Sequence, residues 1–156
     1  MCASPFPAEG RVAGVDYGHV RIGIAISDPG RKIASPLETY VRRGRVADAD
    51  RFRRLAAEEH VTSFVVGLPV HASGEESAKS AEARKFGQWL SEVTGRPVCF
   101  FDVGYTSVHA DRILDDADLR GKKRKKRRDA LAAQIILAAF LESPARADQP
   151  PQPLND

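Results

Sequence analysis

The sequence predicts an α/β domain of three layers, a mixed five-stranded sheet with an antiparallel first three strands and flanking helices. Three observations lead there. The patterned region opens with two β-branched runs split by a short polar break, then alternates helix-like with strand-like segments, and no apolar run approaches the roughly 20 residues of a membrane span. At 156 residues, 42% hydrophobic and 29% charged, the chain has the size and balance of one globular domain with a real core. We expect an N-terminal tail over residues 1–10, the domain over 11–142 and a Pro-rich C-terminal tail over 143–156.

Each element follows from its own pattern. "RVAGVDY" and "RIGIAISD", separated by Gly18 and a few polar residues, read as an antiparallel hairpin. A third strand follows in "RKIASPLETY", where Pro36 removes a ladder donor and so confines the run to an edge or ends it early. Over 45–59, Val46, Ala49, Phe52, Leu55 and Ala56 recur at three- and four-residue spacing, the mark of a helix lying on a sheet. "VTSFVVGLP" is a buried strand that stops at Gly67 and Pro69, and a polar loop leads to a helix over 75–93 carrying Ala78, Ala81, Phe86, Trp89 and Leu90 in register. "RPVCFFD" supplies the fifth strand. After it "TSVHADRILDDADL" is helical, and 130–141 is apolar on nearly every side, as in a helix held between a sheet and other elements. The hairpin demands antiparallel pairing and the later strand–helix–strand units favour parallel pairing, hence a mixed sheet.

No basic start precedes a hydrophobic stretch, so no secretory signal is expected and the cytoplasm is the expected location. Cys2 and Cys99 lie far apart and are expected as free thiols. The net charge of +3 conceals a tract of seven cations, Lys122, Lys123, Arg124, Lys125, Lys126, Arg127 and Arg128. Mutual repulsion makes it a solvated loop or a frayed helix start. Such a tract also binds phosphates by counterion release, and nucleic acid is favoured over anionic lipid because no apolar amphipathic face accompanies it.

Three aspartates are the candidate chemistry. Alternation in the first strand sets Val12, Gly14 and Asp16 on one face, with Asp16 at the end, where open α/β sheets bind ligands. An Asx-type turn before Gly18 explains it as well. Asp102 ends the fifth strand or caps the helix that starts near Thr106. Asp129 stands between the basic tract and the apolar helix, where a nearby helix start would favour it. Three converging carboxylates would form a hard oxygen site for Mg²⁺ or Mn²⁺, suited to hydrolysing phosphodiesters. His19, His60, His71 and His109 show no ligand spacing. "GLPVHASGEES" could touch phosphates or simply lead into a helix.

Taken in order, "GVDYGHVRIGIAISDP", "VVGLPVHASGEES", "FFDVGYTSVHA" and the basic tract before "DALAAQIILAAFLE" resemble the YqgF family, pre-16S rRNA nucleases also described as Holliday junction resolvase-like proteins of the RNase H-like fold. The resemblance covers residues 11–142. It implies a metal-dependent endonuclease of ribosomal RNA maturation, with Asp16 and Asp129 as catalytic metal ligands and Mg²⁺ or Mn²⁺ as cofactor; from its charge, the 122–128 tract is expected to hold the RNA backbone, with Arg21 assisting at the hairpin. The family's fifth-strand motif usually reads Asp-Glu-Arg, whereas this chain has Asp102, Val103 and Gly104, so Asp102 is the candidate third carboxylate. His109 stands where relatives often carry another acid. The partners implied are structured pre-rRNA, a ribosomal precursor particle or branched DNA, with the protein a monomer or homodimer. Other readings are an RNA-binding assembly module without catalysis and, from its Asp-x-Gly turn, half of a sugar-kinase-like ATPase, for which the chain is short.

Overall fold

The computed structural model describes residues 9–69, 78–106 and 122–142 together with positions 7, 110, 112 and 113, and for 122–127 the course of the backbone. Five strands, β1 (Arg11–Asp16), β2 (Arg21–Ser27), β3 (Ala34–Val41), β4 (Val61–Leu68) and β5 (Val98–Asp102), form one sheet in the order β3-β2-β1-β4-β5. β1 pairs antiparallel with β2 and parallel with β4, so the mixed sheet read from the sequence is the observed one. β3 runs through Pro36 as an edge strand. Its pairing with β2 skips Leu37, because Ile24 faces Glu38 while Ala25 faces Pro36, and the irregularity absorbs the missing donor.

Helices α1 (Arg45–Glu58) and α2 (Ala78–Thr94) cover one face and α3 (Lys122–Glu142) the other. The alternation of β1 divides the core accordingly. Ala13 and Val15 join Phe52, Leu55, Phe64, Phe86 and Leu90 under α1 and α2, while Val12 joins Val65, Phe101, Leu137 and Phe140 under α3. Val46, placed on the apolar stripe by spacing, is 86% exposed instead. It belongs to the first turn of α1, before the helix axis reaches the sheet.

Two further expectations are corrected. The basic tract is neither loop nor frayed end, because the backbone from Lys122 is helical and continuous with the packed part of α3. Lysine and arginine are good helix formers, and a helix already anchored by packing propagates for little. Cys99 is fully buried and disulfide-bonded rather than a free thiol. The expected helix over 106–119, the loop over 70–77, the tails, His71 and His109 fall largely or wholly outside the described residues.

Candidate active site

Backbone proximity, set by glycines, creates the site. In β1 and β2, Asp16 pairs directly with Gly23. A methyl group on Gly23 would fall inside the Asp129 carbonyl, so only glycine lets α3 rest there. Two residues back on β1, a Cβ on Gly14 would meet Leu137 Cβ at 2.7 Å and the Ala133 carbonyl at 2.9 Å. Gly67 on β4 likewise leaves room for the Ile136 side chain. Three adjacent strands thus carry glycines under one helix, and the helix seats Asp129 beside the end of β1. Two hydrogen bonds fasten α3 across β3: the Ala130 amide donates to Thr39 Oγ1 at 3.3 Å, and Gln134 Nε2 to the Ala34 carbonyl at 2.9 Å.

Asp16 and Asp129, from opposite ends of the sequence, therefore come near enough for the charge of one to act on the other. Burial, with the Asp129 charge adding to it, pushes the Asp16 carboxyl up from 3.8 to about 6. Arg21, on β2, donates from Nε to Asp129 Oδ2 at 2.9 Å. Asp129 lies in the third turn of α3, too far from its start for attraction to the helix end to explain the residue. Asp16 is the last residue of β1.

Asp102 is engaged differently. Its Oδ1 accepts from the Gly104 amide at 2.7 Å and so caps a short 3-10 turn, Val103–Tyr105. The next residue reaches the site instead: Val103 lines a cleft of about 380 Å³ together with Asp16, Tyr17, His19, Lys79 and Glu82. His19 Nε2 and Glu82 Oε2 are 2.7 Å apart on its rim. Among the described residues no three of His, Cys, Asp and Glu gather into a group able to hold a metal ion. The donors near one another are the Asp16 and Asp129 carboxylates, the first burdened by the charge of the second, and such hard oxygens could hold a divalent cation such as Mg²⁺ or Mn²⁺.

Spacing alone missed the glycine seat, although glycine inside a strand is itself a signal of close backbone approach. Lys79 and Tyr17 were missed too, and nothing local marks them, since α2 reaches the cleft only through the folded sheet.

The family model described as "RuvX: Holliday junction resolvase" matches residues 10–143. Named relatives are similar over nearly the same span. A "Putative pre-16S rRNA nuclease" of Rhodopirellula baltica is 49% identical over 138 residues, 88% of this chain and 80% of that one. The protein of the same name from Koribacter versatilis is 38% identical, covering 88% and 90%. Among solved structures, Thermus thermophilus RuvC in complex with a Holliday junction substrate superposes with a TM-score of 0.59 at 16% identity, over 88% of this chain and 98% of that one. The yeast mitochondrial Holliday junction resolvase Ydc2 gives 0.54 at 12%, covering 93% and 83%. These structural likenesses identify the fold as RNase H-like. With residues 10–143 matched and 49% identity to a named relative, the chain belongs to the RuvX family of Holliday junction resolvase-like proteins, the YqgF group that its four motifs resemble.

Proposed function

We propose that the protein is a metal-dependent endonuclease that hydrolyses phosphodiester bonds in structured RNA, acting at the 5′ end of pre-16S rRNA during ribosome biogenesis in the cytoplasm. The observation that carries the reading is that the charge of Asp129 acts on the buried Asp16 carboxyl at the end of β1, with Asp129 directly after the basic tract. The names of the relatives support the substrate. Asp16 and Asp129 would hold Mg²⁺ or Mn²⁺. When bound, such ions activate water and stabilise the leaving oxygen. Asp102 would contribute through its second carboxylate oxygen, since Oδ1 holds the Gly104 amide. Arg21 orients Asp129 through its Nε and, were a cation held by that carboxylate, would be available to a phosphate.

The tract from Lys122 to Arg128 would track the backbone and deliver it to Asp129. Seven cations in the first two turns of a helix oppose the helix dipole as well as one another. A phosphate backbone relieves both. Titrating Mn²⁺ with precursor rRNA and a four-way DNA junction as competing substrates tests the reading: preferential cutting of the RNA is expected, and preferential cutting of the junction would move the substrate to branched DNA.

A second reading has its own observation. Val103 puts an apolar side chain on the cleft beside Asp16, and a site with two carboxylates would suit a module that binds RNA without cutting it. Binding with steep salt dependence but no cleavage with either metal would favour that reading.

A further inference from the structure

The cleft continues over Tyr17 into a second, shallower groove of about 180 Å³ between the end of β3, α1 and α2, and the two share Tyr17 and Glu82. Its floor is aromatic. The rings of Tyr17 and Phe86 are 4.8 Å apart and those of Phe86 and Trp89 5.5 Å, a continuous series in which Trp89 is only half-buried. The Arg42 guanidinium lies 5.4 Å over the Tyr17 ring, donates to Tyr17 Oη at 3.1 Å, and is held from behind by the buried Asp48 carboxylate at 3.2 Å. Arg45 and Lys85 add two exposed cations, and among the described residues no carboxylate pairs with either. Lys85 and Trp89 stand four residues apart on one face of α2.

We infer that this groove is a subsite for an unpaired stretch of the nucleic-acid strand held in the cleft, with a base stacking on Trp89 and phosphates meeting Arg45 and Lys85. The inference rests on the nuclease reading for its ligand, and charge complementarity selects that ligand. A partly exposed indole flanked by unpaired cations is the combination that binds single strands without sequence preference, since every base has a face to stack and every linkage a charge. The Tyr17–Arg42 pair forms the wall between groove and cleft, so one strand can pass from stacking to cutting without leaving the protein.

Trp89 is the chain's single tryptophan and therefore its own reporter. The full-length protein is titrated in EDTA with a single-stranded oligonucleotide of about ten nucleotides, following Trp89 emission and, separately, gel mobility. Quenching in step with binding is expected, with little quenching by a duplex of equal length. The double variant Arg45→Gln, Lys85→Gln, which touches only exposed side chains, should weaken binding roughly tenfold and flatten its salt dependence. Binding without any change in emission, binding by the double variant equal to wild type, or no binding of the single strand would each overturn the subsite. Cleavage of precursor rRNA and its loss in Asp16→Asn are measured on the same preparations. Intact cleavage with unquenched Trp89 would refute the groove alone, and absent cleavage with quenched Trp89 would refute the nuclease alone.

Discussion

Replacing Asp16 by asparagine should make the metal-free protein more stable, and by an amount that depends on pH. Its folded pKa of about 6 lies above the ordinary 3.8, so the proton is held more tightly in the fold than in the unfolded chain. A group of this kind stabilises fully below the unfolded value, and that stability is lost as pH rises through the folded one. At 1.36 kcal/mol per pKa unit, ionising Asp16 costs the fold about 3 kcal/mol above pH 6. Asparagine keeps the shape and cannot ionise. The variant should therefore match wild type near pH 3 and exceed it at pH 7.5 by up to about 3 kcal/mol, roughly 6–12 °C in Tm for a chain of this size. Urea and thermal denaturation in EDTA at both pH values measure this. Adding Mn²⁺ should narrow the gap, because a cation bound to the ionised pair stabilises only wild type. Equal stability of the two proteins at pH 7.5 would refute the account of a burdened Asp16.

Three other perturbations follow from the same geometry. Gly23→Ala places a methyl group inside the Asp129 carbonyl, so α3 must lift. We expect a loss of about 1–3 kcal/mol in urea denaturation together with lost cleavage, and wild-type values for both would contradict the glycine seat. Val103→Glu brings a third carboxylate to the cleft, and calorimetric titration should show Mn²⁺ binding more tightly than in wild type; unchanged affinity would mean that position 103 does not face the metal. Asp48 accepts from Tyr40 Oη at 2.7 Å, the Arg43 amide at 3.0 Å and Arg42 Nε at 3.2 Å, and Asp48→Ala would strand these partners at a cost of about 3–5 kcal/mol. Burial works against its charge, but the Arg43 amide, Tyr40 and Arg42 together bring its pKa below the ordinary value. The sign is opposite to that of Asp16: this contribution is present above the unfolded pKa and fades as pH falls through the folded one, so acid denaturation of wild type should lose a component that the variant never had.

Much of the fold was legible because its periodicities are clean. The alternation in β1 separated Ala13 and Val15 from Val12, Gly14 and Asp16, and the sheet divides its two cores along that line. Pro36 announced an edge strand. Asp16 and Asp129 could be named from motifs and their order, but nothing in the spacing of residues 16 and 129 says how near they come. That distance is set by Gly14, Gly23 and Gly67, each unremarkable alone and decisive once three strands align under α3. Asp102 was harder, because a carboxylate before a glycine reads equally as ligand and as cap, and the hydrogen bond to Gly104 is a property of the folded turn. The charge of the basic tract argues for repulsion and fraying, but the anchoring of α3 by Leu137 and Phe140 farther along the same helix outweighs it.

The most direct test of the account is cleavage of precursor rRNA in Mn²⁺ by wild type, Asp16→Asn and Asp129→Asn, with RNA binding measured in EDTA on the same preparations. The account predicts that each variant loses cleavage by more than about a hundredfold while its binding stays near that of wild type. Undiminished cleavage by either variant would contradict it.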